Sequence, residues 1–320
     1  MKRKLAVATA TVLSLAFPTA IANAAPSPTT GVELVAEADK FVQVHVTYNP
    51  NEGNSVGLPA LKELRSWAWD NNPLFRGYGH ENFAEGTRLR DVARANGITT
   101  KAEYLDITSH SHLHWIAIQR AVEASATFAH HRPDGSSTDT ATRGRISPAI
   151  ESLSAGRTLR DAILNGWGKE EVAELNRNGG NWSGVKGKAT GHAVHLLHPR
   201  HKVWGFGQVR VPGSHYGQYG AAVHAEMTPA EADRGAGMPS GSRTTYLERA
   251  AKDGENPRPN NPGTGNNPRP NNPGTGNNPN NPPAMDSSSG SDIGKIIGII
   301  LGVVSILGSI WMAIQQFLPR

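Results

Sequence analysis

A tandem repeat near the C-terminus limits how much of the chain can fold. The sequence NPRPNNPGTG occupies residues 256–265 and returns at 267–276, a period of 11 residues. A segment so rich in Pro, Asn and Gly, with almost no apolar side chains, cannot bury enough surface to offset the entropy of ordering. We expect residues 254–291 to form a disordered, partly extended stalk. Any folded domain must therefore precede it.

The N-terminus has the layout of a secretory signal. Residues 1–24 begin with three cationic residues, continue through an apolar run and end in Ala22-Asn23-Ala24, whose small side chains suit a signal peptidase. A retained N-terminal membrane helix is the alternative. Removal of the three cations lowers the formal charge from +5 to +2. The whole-chain pI of about 9.5 is then poor support for a nucleic-acid partner, and we expect none.

An uncharged apolar stretch follows the stalk. Residues 296–314 would form a helix of roughly 28 Å at 1.5 Å per residue, close to the ~30 Å hydrocarbon core of a bilayer. We predict a transmembrane anchor at 293–314, which would hold an exported domain on the extracellular face of the cell envelope. Glycines recur every fourth residue at Gly294, Gly298 and Gly302. They could support a weak homodimer of such helices, although glycine is also simply common in membrane helices.

Between these ends, apolar periodicity indicates an α+β domain. Helical spacing predicts helices at 58–69, 113–128 and 158–167, and period-2 alternation predicts a hairpin of strands at 203–211 and 215–225. Helices come first and the hairpin last, without the strand–helix alternation of a parallel sheet.

The domain predicted from these patterns spans residues 58–227. Residues 25–57 precede it as an N-terminal lead, and residues 228–253 follow it as a C-terminal extension.

Histidines and carboxylates are the informative chemical groups. The chain has 13 His and no Cys, which excludes disulfide frameworks, thiolate metal sites and a Cys nucleophile. In four segments a His or an acidic residue lies beside residues that favour a particular backbone conformation. They are FAHHRPDG at 128–135, IESL at 150–153, WGKE at 167–170 and GHAVHLLHPRHKVWGFG at 191–207.

In this order, and followed by a hairpin, these segments resemble the bacterial secreted branch of the CAP superfamily, which groups cysteine-rich secretory proteins, antigen 5 and pathogenesis-related 1 proteins. The resemblance covers roughly residues 58–226. His130 matches the histidine of the family's H-x-R-P-D-G segment, and Glu151 matches the acid of its Gly-Glu-Asn-Leu motif. Glu170 matches the acid of W-x-x-E, and His192 the histidine of the G-H motif.

The resemblance implies a CAP-like α-β-α sandwich in which these four side chains converge in a cleft. In some members of the family such a tetrad binds Zn²⁺ or another divalent cation, and two imidazoles with two carboxylates suit such a metal. The sequence departs from the family at Ile150 and Ser152, where the family has Gly and Asn. The plainer interpretation is that the four residues are hydrogen-bonded partners that brace the fold.

The resemblance implies ligand binding more often than catalysis. The sequence has no G-x-S-x-G elbow and no H-E-x-x-H motif, so we assign no catalytic residue. We predict a surface-displayed module that binds a lipid, glycan or other envelope ligand, or a host partner. The alternatives are a metal-dependent hydrolase of envelope or peptide substrates and a structural adhesion protein with a vestigial cleft.

Three further groups are interpreted without a function. On a strand, HSHLH at 110–114 could form an open zinc site, but a helix begins there and would scatter the imidazoles. Histidines also recur every third residue across 192–201, where Pro199 should end the helix. These histidines indicate a solvated or loosely metal-binding face. Residues 79–83 mimic the Gly-Glu-Asn motif out of order and are interpreted as a loop.

Overall fold

The computed structural model describes residues 29–78, 81, 83–183 and 190–257. The predicted signal, most of the stalk, the anchor and its glycines lie outside these residues. No helix within them has both the length and the apolar character needed to cross a membrane.

The described residues form an α+β fold around one sheet. Its strands are β1 (Phe41–Tyr48), β2 (Thr108–Ser109), β3 (Ile150–Ala155), β4 (Val203–Arg210), β5 (Gln218–Ala225) and β6 (Arg243–Ala250). The order across the sheet is β3-β5-β4-β1-β6 with antiparallel neighbours, and the short β2 pairs in parallel with β4.

The helices are α1 (Leu58–Asn71), α2 (Leu89–Ala95), α3 (Lys101–Leu105), α4 (Ser111–Ala124), α5 (Leu159–Asp161), α6 (Glu171–Arg177) and α7 (Gly191–Leu197). A π-helical turn at Gly53–Gly57 leads into α1, and a π-helical stretch at Ala162–Glu170 joins α5 to α6. Short 3₁₀ turns occur at Ala38–Lys40 and Thr138–Thr140.

Both faces of the central strands are buried. Trp204 and Phe206 of β4 belong to the apolar cluster formed by α1, α2, α3 and the α5–α7 region. Val203 and Val209 point to the opposite face, into a second cluster formed largely by α4 with β1 and β5. This alternation follows from the period of two along a strand. The middle of the sheet therefore lies between α4 on one face and the other helices on the opposite face.

Two glycines allow α4 to lie directly on β4. A Cβ atom at Gly205 would lie 2.1 Å from the carbonyl carbon of Leu113, and one at Gly207 would lie 2.4 Å from the backbone nitrogen of Ile118. Real side chains cannot approach a backbone so closely. The unusual WGFG sequence of β4 thus reflects the position of the helix above it.

The predicted helices and hairpin are present, with shifted ends. Helix α1 ends two residues later than predicted, and α4 ends at Ala124 because the chain turns at Ser125, whose hydroxyl donates to the Val122 carbonyl. Phe128, placed on the apolar stripe of that helix by its spacing, is instead 40% exposed. The second hairpin strand begins at Gln218 rather than at residue 215.

The domain is longer than the predicted span of 58–227. The lead contributes β1 and the extension contributes β6, and these strands pair with each other over eight residues, from Phe41↔Ala250 to Tyr48↔Arg243. Strand β1 also meets β4 through the pair Thr47↔Arg210. Each of these strands lacks a partner nearby in the chain, so local patterns did not reveal them.

Candidate functional site

Three of the four predicted site residues meet at the β3 edge of the sheet. His130 lies in the loop after α4, Glu151 on β3, and His192 in the first turn of α7. The Nδ1 atom of His130 is 3.1 Å from Oε1 of Glu151. The rings of His130 and His192 have centroids 6.2 Å apart.

The placement expected for Glu170 is corrected by the structure. Its side chain is 58% exposed, and its carboxylate accepts hydrogen bonds from Arg157 at 3.0 and 3.1 Å. Glu171 lies in the cleft instead, where its Oε1 is 2.6 Å from Nδ1 of His192. The cause is the π-helical stretch that ends at Glu170, because its i→i+5 bonds widen the turn after Trp167. The fourth residue after the tryptophan, rather than the third, then faces the cleft.

Glu151 belongs to a buried ion network. Its Oε2 accepts from Nε of Arg120 at 2.5 Å, while Arg120 also donates to Glu123, and Arg132 donates to Glu123 at 2.7 Å. Two guanidinium groups thus balance two carboxylates. Burial alone would raise the pKa of Glu151, but Arg120 and His130 outweigh this effect and hold it below the ordinary value. Glu151 is therefore ionised, and its charge is already neutralised.

The tetrad predicted from the resemblance does not fit a four-ligand metal site in this arrangement. Arg120 and His130 contact the two oxygens of Glu151, and the exposed Glu170 is paired with Arg157 rather than with the two histidines. A cation bound by Glu151 would have to displace a buried guanidinium. The cleft is therefore better suited to an organic ligand than to a metal ion.

One ring nitrogen of His192 is hydrogen-bonded and the other can still bind a ligand. Burial alone would lower the pKa of His192, but the hydrogen-bonded Glu171 carboxylate and, less strongly, Glu151 raise it above the ordinary value. Since Nδ1 donates to Glu171, Nε2 is the remaining polar atom of the ring. It has no hydrogen-bond partner within the described part of the chain. An imidazolium here could donate an Nε2–H to a ligand.

A cavity of about 270 Å³ adjoins this histidine. Its wall is mainly apolar and includes the indole of Trp167, which is held by a 3.0 Å hydrogen bond from Nε1 to the Leu153 carbonyl. The lining residues are Phe128, Leu153, Ser154, Ala155, Arg157, Ala162, Gly166, Trp167, Glu171, His192 and Tyr216. The cavity thus combines an apolar body with the His192–Glu171 pair.

A larger cavity of about 410 Å³ lies elsewhere, between α1 and α6. It is lined by Trp67, Asn71, Pro73, Leu74, Arg88, Val172 and Asn176. Arg88 is the one ionisable residue among these, and it donates to the Asn72 carbonyl. The smaller cavity is the better functional candidate because it contains the titratable pair.

The other histidines have defined surroundings. HSHLH begins α4 as expected, with His110 as the N-cap and His114 fully buried against Phe206. Helix α7 ends at Leu197, before Pro199, as expected, but the histidine face predicted to be solvated is largely buried, with His198 1% and His201 5% exposed. Glu81, in the segment interpreted as a loop, lies 2.6 Å from Nε2 of His198.

A second group of ligand-type side chains was not predicted. Within the described residues, His201, His224 and Glu226 each bring a ligand atom within 4.8 Å of the others, and this group could hold a metal ion. In the sequence, His201 ends a run of histidines and His224 lies within a predicted strand. The pairing of β4 with β5 brings them together, which no spacing along the chain indicates.

A scan against protein-family models found no match, and searches of the curated proteins and of the solved structures found none either. The resemblance to the CAP superfamily therefore rests on the motifs alone.

Proposed function

We propose that this chain is an exported, membrane-anchored binding protein of CAP type whose cleft holds an amphipathic envelope lipid. The observation that carries the proposal is the apolar cavity beside His192, whose Nε2 is free to donate to a ligand. The layered arrangement of helices about β4 and β5 supports the CAP-like α-β-α sandwich. The layout of the two chain ends supports export and anchoring.

The cavity suits one part of a lipid. At about 270 Å³ it is near the lower end of the ~300–1,000 Å³ that small-ligand sites occupy. It would accept a short apolar segment, such as part of an acyl chain, rather than a whole lipid. The polar head would accept a hydrogen bond from His192, whose ring the Glu171 carboxylate orients and whose pKa it raises.

Binding explains the cleft better than serine-type hydrolysis does. Among the described residues, no hydroxyl group is hydrogen-bonded to His130 or His192, so no nucleophile–base pair is assembled there. Two other results would favour the alternatives. Turnover of an added ester lipid, measured separately, would favour the hydrolase, and absence of any cleft ligand would favour adhesion.

Native mass spectrometry of the full chain, released from detergent micelles with a long-chain fatty acid added, tests the proposal. We expect an adduct of one fatty acid on the wild type. Ala155→Phe would fill the cavity and His192→Leu would remove its donor. Each should weaken the adduct at least about tenfold, a change of ~1.4 kcal/mol.

Leu74→Phe is the control because it places the same phenyl ring in the wall of the larger cavity. It should leave the adduct unchanged. Retention of the adduct by Ala155→Phe would contradict the proposed site, since the fatty acid would then be bound elsewhere.

A further inference from the structure

Two stacked imidazoles lie where β4 begins and β5 ends. The rings of His201 and His224 have centroids 4.3 Å apart and an interplanar angle of 29°. His201 is 5% exposed and His224 is 1% exposed. Glu226, just beyond the end of β5, places Oε1 3.9 Å from Nε2 of His224, and its side chain is 77% exposed.

The hydrogen bonds of both rings determine their tautomers. Nδ1 of His201 is 2.8 Å from the carbonyl oxygen of His195, and Nδ1 of His224 is 2.9 Å from the carbonyl oxygen of Val203. A carbonyl oxygen can only accept, so each Nδ1 carries the proton and donates. In the neutral rings both Nε2 atoms then keep their lone pairs.

Neither lone pair has a partner among the described residues. Nε2 of His224 is buried without a hydrogen bond. Buried polar atoms normally have partners, so an orphan acceptor beside a second free Nε2 and a carboxylate calls for a bound group. An Nδ1–H donating to a backbone carbonyl, with Nε2 left to coordinate, is the arrangement that metal-binding histidines usually adopt.

The backbone that carries His201 is firmly held. Its carbonyl oxygen accepts from Nη2 of Arg65 at 2.8 Å and from Nε1 of Trp204 at 3.0 Å. Arg65 also donates to the carbonyls of Leu196 and His198. His224 is fixed by the β4–β5 ladder, in which it pairs with Trp204. The two imidazoles are therefore positioned before any ligand arrives.

We propose that Nε2 of His201, Nε2 of His224 and the carboxylate of Glu226 bind one Zn²⁺ or a similar divalent cation. Two imidazoles and one carboxylate form a recognised zinc donor set, and the exposure of Glu226 leaves a fourth position open to water. This site is separate from the His130–Glu151–His192 cleft and shares no residue with it.

The distances require only a small adjustment. Ligand atoms around a four-coordinate zinc with bonds of ~2.0–2.1 Å lie roughly 3.3 Å apart. The three groups already lie within 4.8 Å of one another. The exposed Glu226 side chain can close its distance freely, and the stacked rings need to tilt slightly so that both Nε2 atoms point to one centre.

Protonation does not compete with the metal near neutral pH. Burial lowers the pKa of His224 to about 4 and lowers that of His201 well below its ordinary value. Both imidazoles are thus neutral at pH 7, which is the form that binds metal.

The test is zinc binding to the full chain, measured by equilibrium dialysis and elemental analysis at pH 7.4, with Co²⁺ substitution to report coordination by its visible absorption. We expect one tightly bound Zn²⁺ and the intense spectrum of four-coordinate Co²⁺. His224→Gln should abolish both. Glu226→Gln, an exposed substitution that cannot disturb the core, should weaken zinc binding at least about tenfold.

Two controls separate this site from zinc bound by the cleft histidines or by an exposed imidazole. The double variant His130→Ala/His192→Ala should keep its zinc and its Co²⁺ spectrum, and so should His45→Gln on β1. Zinc binding that is unchanged in both His224→Gln and Glu226→Gln would overturn the proposal. Failure of folded wild-type protein to bind zinc would also overturn it, and would assign the orphan Nε2 to an ordered water.

Discussion

His114 should make the protein sensitive to acid. The ring is fully buried, Nδ1 accepts a hydrogen bond from the Phe206 N–H at 3.0 Å, and Nε2 lies 2.9 Å from Oδ1 of Asn54. Because Nδ1 acts as an acceptor, the ring is neutral with its proton on Nε2. Protonating Nδ1 would break the hydrogen bond from the Phe206 N–H, and the new N–H could turn only to the Phe206 carbonyl oxygen, 3.2 Å away. Burial, above all, lowers the pKa of His114 to about 4.

The size of the effect follows from linkage. The unfolded chain takes up a proton at this histidine near pH 6.5, whereas the folded chain resists until about pH 4. Stability contributed by the neutral ring is therefore present above pH 6.5 and is lost as the pH falls toward 4. Integrated between pH 7.5 and pH 4, the loss is about 3 kcal/mol for this one group.

The substitution His114→Asn isolates this contribution, because an amide oxygen can accept from Phe206 without titrating. At pH 7.5 we expect the variant to be less stable by ~1–3 kcal/mol, since the bond to Asn54 is lost. Between pH 7.5 and pH 4 the wild type should lose about 3 kcal/mol more than the variant, so that at pH 4 the variant is as stable as the wild type or more stable. The other buried histidines contribute equally to the pH dependence of both proteins, so their contribution cancels in the stability difference.

Urea unfolding of both proteins at several pH values provides the measurement. His215→Asn, in the exposed loop between β4 and β5, is the control for the substitution itself and should follow the wild type within ~0.5 kcal/mol. A stability difference between wild type and His114→Asn that stays constant from pH 7.5 to pH 4 would show that His114 does not cause the acid sensitivity.

Three other substitutions give separate predictions. Gly207→Ala should cost at least ~2 kcal/mol in urea unfolding, because its Cβ would lie 2.4 Å from the α4 backbone; an unchanged midpoint would contradict the close approach. Arg120→Met should cost ~3–5 kcal/mol by the same assay, since it leaves buried carboxylates uncompensated. In NMR titrations, Glu171→Gln should lower the pKa of His192, whereas Glu170→Gln should not; equal effects would restore Glu170 to the cleft.

Local patterns in the sequence predicted the elements that depend on nearby residues. Helix α1, the start of α4 and the β4–β5 hairpin each have their periodicity and their turn residues within one short segment. Thr158 caps the start of the helix predicted at 158–167, since its hydroxyl accepts from the Asp161 N–H. Such local patterns do not indicate which strands pair when the two strands are far apart in the sequence. Strands β1 and β6 were therefore missed.

The site was predicted in part, for a related reason. The motifs correctly indicated that His130, Glu151 and His192 lie close together. The spacing W-x-x-E assumes a regular α-helix, and the residue types do not reveal a π-helical stretch. The motif therefore selects Glu170 in place of Glu171. The balancing guanidinium of Arg120 lies on α4, in a segment that reads only as an apolar core helix.

Photolabelling can show directly whether an acyl chain binds in the cavity beside His192. A long-chain fatty acid carrying a diazirine in its acyl chain would be irradiated with the full chain, and the modified peptides would be identified by mass spectrometry. We expect label on the peptides that line the 270 Å³ cavity, which contain Trp167, His192 and Tyr216. The Ala155→Phe variant should lose this label. Label confined to the cavity around Trp67 and Leu74, or to residues after 257, would contradict it.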